Sequence, residues 1–274
     1  MFLLLQIYHP NRDQDCKEGI IYMTPLFKFR ISSKQLEELG KSTRRQFEVE
    51  LASWLRTERT AYVDDLTDPQ LVIVAAEISA ECDRLGLIGE VATRAFAAAA
   101  TIYGVYSHKD PLFEPIYYAP LPLAGARLLR SPTGIWASLA QVLETEFAER
   151  SGIKLILDLD SAFSKDVHLK FMPKELMERF LPERNARLGP GQLEAHLTLS
   201  EAEADRLNLT DTAARRYHHA AALLLGAHFA ADPIYPWAQV ALDHPGDDAT
   251  RISRLRTAFK VIVRRAKTIT KKDT

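Results

Sequence analysis

The apolar positions of this chain recur mainly at intervals of three and four residues, which is the spacing of amphipathic helices. A first helix is predicted after Ser32 and Gln35, which stand in the order of a capping box. Its buried face is predicted to contain Leu36, Leu39, Thr43, Phe47, Leu51 and Trp54. Asp68 as N-cap before Pro69 then predicts the start of a second helix, which ends at Gly86.

Two further helices follow from the same spacing. The alanine-rich residues 90–106 predict a third helix, because alanines allow a neighbouring helix to approach closely. Asp110-Pro111 is expected to end it, since the residue before proline avoids the α region. Residues 135–150 predict a last helix after a connection rich in proline and glycine.

The same series of features occurs a second time in the chain. An offset of 122 residues places Asp232-Pro233 on Asp110-Pro111 and holds without gaps for some forty residues. Gly86 falls on Asn208, and these two residue types tolerate the left-handed backbone that ends a helix. The chain is therefore interpreted as a tandem duplication of a helical unit.

The predicted fold class is mainly all-α. We expect a leader or disordered N-terminus over residues 1–22, a first helical unit over 23–150, a connecting segment over 151–187 and a second helical unit over 188–274. The second unit has no good counterpart of the first helix. Within the connecting segment, residues 154–159 and 167–172 predict either a short β-hairpin or a buried linker followed by a short helix.

Composition excludes several classes of protein. The chain has 35 Lys and Arg against 36 Asp and Glu, so no overall basic charge marks it as a nucleic-acid or membrane-surface protein. Cys16 and Cys82 form no metal or disulfide pattern, which favours a reducing, cytoplasmic setting. The apolar N-terminus is too short for a membrane span. A purine-rich coding pattern before Met23 leads to the hypothesis that translation naturally starts there.

Candidate chemistry is sparse. His218, His219 and His228 fall on Phe96, Ala97 and Tyr106 of the first unit, and two of them are about 15 Å apart along a helix, so surface or core-edge histidines are favoured over a metal site. Asp158 and Asp160 resemble the nucleophile and acid/base of haloacid-dehalogenase-like phosphatases, and residues 246–248 imitate a later acidic motif. The helical copy between them argues against that fold, and carboxylates in a solvated turn are favoured instead. No catalytic, cofactor-binding or metal-binding residue is assigned.

Aromatic and basic side chains are the candidate contacts for a partner. The aromatic segments after the two Asp-Pro pairs could anchor a protein, although burial in the core is an equal alternative. The basic C-terminal helix could contact nucleic acid, but a packed helix with a solvated basic tail is favoured. The predicted partner-binding residues are Phe113, Tyr117, Tyr235, Trp237, Arg264 and Arg265.

Residues 29–56 and 83–113 resemble a group of helical bacterial proteins that are often encoded beside type VI secretion spike and effector genes. The shared pattern is a Gln-Leu first helix, a Gly-Leu helix stop, a third helix rich in Phe, Ala and Gly, and an Asp-Pro near an aromatic residue. The resemblance covers residues 29–150 and, less fully, 188–267. It implies an accessory role in secretion, as an adaptor or chaperone that loads an effector or spike component, or as an immunity protein.

We therefore expect a protein-binding accessory that is not an enzyme, needs no cofactor and has neither membrane nor nucleic acid as its partner. Two alternatives stay open. An enzyme acting on phosphate or metal would depend on Asp158 or His218, and a nucleic-acid-binding regulator would use the arginines of the C-terminal helix.

Overall fold

The computed structural model describes residues 20–23, 27–30, 32–87, 89–121, 125–128 and 171–272. These residues are mainly helical, which confirms the predicted fold class. The chain divides into two compact units, residues 1–50 and residues 51–274. The described parts of both sequence copies from Leu51 onward lie in the second unit.

The first compact unit contains an antiparallel hairpin and most of a long helix. Strand β1 (Ile20–Met23) pairs with β2 (Phe27–Arg30), with Ile20 opposite Arg30. Helix α1 (Ser33–Glu58) begins in this unit and ends in the next. The hypothesis of a start at Met23 stays a prediction.

In the second compact unit, the first copy continues from the end of α1. Its helices are α2 (Thr60–Val63), α3 (Asp68–Leu85), α4 (Glu90–Tyr103) and, after two 3₁₀ turns, α5 (Glu114–Tyr117). An antiparallel hairpin of β3 (Tyr118–Leu121) and β4 (Gly125–Leu128) follows.

The described residues of the second copy form helices joined by turns, without a strand among them. Its helices are α6 (Pro173–Phe180), α7 (Pro182–Arg187), α8 (Gln192–Arg206), α9 (Thr212–Leu225), α10 (Pro236–Leu242) and α11 (Asp248–Lys272). Helix α11 contains the predicted C-terminal helix. It packs against α9 and α10, and also against α2 of the first copy.

The two copies match in structure at the offset that relates their sequences. Helices α4 and α9 begin and end at positions separated by 122 residues. Gly86 and Asn208 have φ angles of 67° and 53°, and Asn208 is the one residue other than glycine with a positive φ in the described part of the chain. The predicted helix stop is therefore confirmed in both copies.

Two helix boundaries differ from their predictions. Thr67, not Asp68, is the N-cap of α3, because Thr67 and Gln70 form a capping box. Helix α4 ends at Tyr103 and not near Asp110, because Gly104 takes a φ of 97° that a right-handed helix cannot contain. Asp110 caps a following 3₁₀ turn by accepting a hydrogen bond from the Leu112 N–H.

The second copy retains more of the first helix than the sequence indicated. Helix α6 lies at the positions that correspond to the last two turns of α1. Met177 of α6 falls on Leu55, and both side chains are fully buried. Only the earlier part of the first helix has no counterpart among the described residues.

The core of the second compact unit follows the predicted periodicity. Leu71, Val74, Ile78 and Cys82 of α3 are buried at intervals of three and four residues. Helix α3 packs on α4, and α8 packs on α9. The alanines of α4 are all buried, and so are those of α9 except Ala213, as expected for helices that approach closely.

Some expectations fall outside the described residues, namely the helix over residues 135–150 and the first of the two segments between the copies. Of the second segment, only Phe171 and Met172 are described, and they directly precede α6. None of the helices in the described ranges combines the length and apolar character needed to cross a membrane.

We expect substitutions at the helix stop Gly86 to separate backbone strain from packing. A Cβ atom on Gly86 would meet no other atom within 4 Å, so any cost comes from its left-handed backbone. Gly86→Ala should reduce the free energy of unfolding by about 1 kcal/mol, and Gly86→Asn by less. Urea denaturation measures both. If alanine and asparagine reduced the free energy of unfolding equally, the left-handed backbone at Gly86 would not be the cause.

Candidate functional site

Two buried aspartates connect the copies reciprocally. Asp110 accepts a hydrogen bond from the Ala227 N–H of the second copy at 2.7 Å, and Asp232 accepts one from the Tyr106 N–H of the first copy at 2.9 Å. Each carboxylate also accepts from the backbone two residues further along its own turn, at 3.0 Å in both copies. We call this arrangement, formed by Asp110, Asp232, Tyr106 and Ala227, the aspartate lock.

The lock requires a glycine at the end of each third helix. Gly104 and Gly226 adopt φ angles of 97° and 90°, which side chains of L residues rarely adopt. A Cβ atom on Gly104 would lie 2.7 Å from Asp232 Oδ2, and one on Gly226 would lie 3.2 Å from a ring carbon of Phe113. The carboxylate of Asp232 thus occupies the space that a side chain at Gly104 would need, whereas the ring of Phe113 limits the space at Gly226.

The two carboxylates differ in their surroundings. His196, fully buried on α8, places Nδ1 2.9 and 3.0 Å from the two oxygens of Asp110. Burial raises the pKa of Asp110, but the imidazole and the backbone N–H groups outweigh it and hold the pKa below its ordinary value. Val74 stands at the position equivalent to His196, so α3 offers Asp232 no imidazole. Burial raises the pKa of Asp232 to about 6, despite its backbone hydrogen bonds.

A group of buried and partly buried polar side chains lies between α8 and α9. We call His196, Ser200, His218 and His219 the histidine group. The hydroxyl of Ser200 lies 2.8 Å from His219 Nδ1 and 3.4 Å from His218 Nδ1. His219 Nε2 lies 2.6 Å from the carboxylate of Glu201, which is half exposed. The Nε2 atoms of His196 and His218 are buried without a hydrogen-bond partner among the described residues.

The first copy has an apolar core at the same positions. The offset places the four members of the histidine group on Val74, Ile78, Phe96 and Ala97, all fully buried. Apolar side chains therefore suffice for this helix pair in the first copy. The polar group is a feature of the second copy alone.

A second polar group, which the sequence reasoning missed, surrounds Glu81. This buried carboxylate lies 2.5 Å from Lys109 Nζ and 3.1 Å from His108 Nε2, and it also pairs with Arg84. Although burial raises the pKa of Glu81, these partners outweigh it and lower the pKa. The equivalent Glu203 pairs with His228 and Arg206, and its hydrogen bond with His228 is the main reason that its pKa is about 2.

Of the aspartates that resemble phosphatase motifs, the structure describes only those before and in α11. Asp158 and Asp160 lie outside the described residues. Asp247 accepts from the Thr250 N–H at 2.8 Å, in the first turn of α11. Asp248 accepts from the Thr210 and Asp211 N–H groups at 2.6 and 2.7 Å. Both carboxylates thus hold backbone groups in place, and within the described ranges no three His, Cys, Asp or Glu residues form a group suited to a metal ion.

The predicted partner-binding residues are placed differently from one another. Phe113, Tyr117 and Tyr235 are buried at 1%, 1% and 2% exposure, so the alternative of core burial is confirmed for these three. Trp237 is half-buried and packs edge-on against Tyr235 and Phe259. Arg264 is exposed on α11, and Arg265 follows it on the same helix.

Large apolar side chains are exposed elsewhere on the first copy. Ile73 of α3 and Val91 of α4 are 60% and 65% exposed. Arg94, one turn after Val91, lies over the ring of the partly exposed Trp54, at 5.6 Å from its centroid. We call Trp54, Val91 and Arg94 the first-copy patch. Sequence periodicity alone did not reveal it, because it predicted Trp54 on the buried face of the first helix.

Comparisons with protein-family models, curated proteins and solved structures found no match to this chain.

The two carboxylates of the aspartate lock have different surroundings. Replacing each by asparagine should therefore reduce the free energy of unfolding by different amounts. At pH 7, Asp110→Asn should reduce the free energy of unfolding by about 3 kcal/mol, because the amide leaves buried hydrogen-bonding groups of His196 or Ala227 unpaired. Asp232→Asn should cost less, because it also removes a charge that burial disfavours. Urea denaturation measures both, with Asp64→Asn at an exposed position as the control.

The pH dependence of Asp232 gives a second test of the same site. Its pKa of about 6 lies above the ordinary 3.8, so between these values the folded protein holds a proton that the unfolded chain does not. Stability from this group therefore rises as the pH falls through that window. The free-energy difference between wild type and Asp232→Asn should widen by about 2–3 kcal/mol from pH 7 to pH 4. A constant difference would contradict the buried carboxylate.

Proposed function

We propose that this protein is a non-enzymatic, protein-binding accessory of a bacterial type VI secretion system that acts in the cytoplasm. In this role it loads a secreted effector or spike component as an adaptor or chaperone, or neutralises an effector as an immunity protein. The sequence resemblance over residues 29–150 and 188–267 supports the link to secretion.

The residues of the shared motif maintain the fold of this protein, which supports its role as a binding scaffold. Gly86 ends a helix, Asp110 and Asp232 form the lock, and Phe113 packs against the glycine at the end of α9. Each of these contacts maintains the fold. The residues that carry the resemblance therefore have a structural explanation that requires no reaction.

The observation that carries the proposal is the exposed apolar surface of the first copy. Ile73 and Val91 are more than half exposed, whereas their equivalents in the second copy are the exposed Ala195 and Ala213. Since the fold accepts alanine at both positions, the larger side chains are not required by packing. The larger exposed side chains of the first copy therefore support a contact with another protein.

The first-copy patch combines Val91 with two residue types suited to a partner. Trp54 is partly exposed and lies beneath Arg94, while its equivalent in the second copy is the buried Leu176. Tryptophan and arginine are the residue types that contribute most to the affinity of protein interfaces. The patch thus offers a candidate centre for the interface.

The proposal is tested by co-expressing the tagged protein with each protein encoded beside it and by measuring complex formation with size-exclusion chromatography and calorimetry. We expect one stable complex. Trp54→Leu and Val91→Ala, which introduce the residues of the second copy, should weaken it about tenfold or more because each truncates an interface contact. Circular dichroism should show an unchanged fold.

Val240→Ala provides the matched control, because Val240 is 67% exposed but lies on α10 of the second copy. It should leave the affinity unchanged. A complex that rescues cells from a toxic partner indicates immunity, and one required for delivery of the partner indicates loading. Failure to form a complex with any neighbour-encoded protein would refute the proposal.

A further inference from the structure

The first copy has apolar side chains at the positions that the histidine group occupies in the second copy, so it serves as a reference. His218 of α9 and Phe96 of α4 occupy equivalent, fully buried positions. His218 packs against the ring of Phe229 at 5.1 Å between centroids. Its Nδ1 lies 3.4 Å from the Ser200 hydroxyl, and its Nε2 has no hydrogen-bond partner among the described residues. A neutral imidazole therefore fits this space in much the same way as phenylalanine.

A protonated His218 is unfavourable at the same position, because its charge would be buried. The charged and titratable groups that act most strongly on His218 include His196, Glu203 and Arg206 of α8 and His219 of α9. From α7, Arg184 donates to the Leu223 carbonyl at the end of α9. The carboxylate of Glu203 is already paired with Arg206 and His228. On α11, Arg256 lies over the ring of the neighbouring Tyr217. Proton uptake would thus place a buried charge beside other basic groups, without a carboxylate at hydrogen-bond distance among the described residues.

We propose that the second copy has an acid-sensitive core, in which proton uptake by His218 opens the α8–α9 helix pair while the α3–α4 pair stays closed. Two observations support this proposal: the histidine group is largely buried in the second copy, and apolar side chains replace it in the first copy. It is independent of the proposed role in secretion. Protonation of buried histidines is an established way to switch a packed element.

The direction of the effect follows from the pKa of His218. Burial, reinforced by His219, lowers it to about 3 from 6.5. Between these values the unfolded chain binds a proton that the folded copy excludes, so stability falls as the pH falls through this window. Asp232 acts in the opposite sense below about pH 6. A comparison with a variant that changes only His218 cancels the contribution of Asp232.

The decisive variant is His218→Phe, which introduces the residue of the first copy. Urea denaturation of the full chain at pH 8, 7, 6 and 5 gives the unfolding equilibrium constant of variant and wild type. Their ratio should change about 30-fold between pH 8 and pH 5, with the wild type losing stability. His218→Leu is the second variant, in case phenylalanine disturbs the fold. Ile234→Leu, another exchange for the residue of the first copy at a buried position, is the control and should follow the wild type.

Hydrogen exchange then locates the opening. In the wild type, amides of residues 212–225 should lose protection at pH 5.5 relative to those of residues 90–103, after correction for intrinsic exchange rates. This difference should vanish in His218→Phe. Parallel pH profiles for wild type and both variants, or earlier opening of residues 90–103, would overturn the proposal.

Discussion

The reciprocal hydrogen bonding of Asp110 and Asp232 is the constraint on which the rest of the fold depends. A buried carboxylate without partners is strongly unfavourable. Each of these two is instead satisfied by its own turn and by the backbone of the opposite copy. The lock also explains the glycine at the end of α4, since a side chain at Gly104 would collide with the carboxylate of Asp232. Both Gly104 and Gly226 have the positive φ that favours glycine. The turn, the helix end and the contact between copies are therefore one structural feature.

Much of this fold could be predicted from the sequence, because its signals are local. Helix spacing, the glycine and asparagine stops, and the repeated Asp-Pro depend on neighbouring residues. The lock could not be predicted in the same way. Its partners, such as Asp110 and Ala227, are more than a hundred residues apart, and the sequence does not show that the aspartate of one copy reaches the backbone of the other. The repeat of Asp-Pro indicated a shared role but not a reciprocal one.

The candidate sites also divide into features with a local sequence signal and features that only the folded chain reveals. His218 and His219 are conspicuous in the sequence because they are adjacent, whereas His196 is a single histidine on a helix and has no distinctive spacing. Only the fold places it against Asp110. Similarly, aromatic residues near a turn are typical of both interfaces and cores, and the burial of Phe113 and Tyr235 decides for the core. Exposure, in contrast to residue type, is a property of the packed chain.

Duplication makes each copy a reference for the other. Where the copies agree, as at the lock and the helix stops, the fold itself explains the residue. Where they differ, the fold has shown that it does not require the choice, as with Val91 against Ala213 on the surface and His218 against Phe96 in the core. Features specific to one copy are therefore the places where function is to be sought. On this reasoning, the first-copy patch is the candidate surface for a partner, and the histidine group is the candidate for a core that responds to acid.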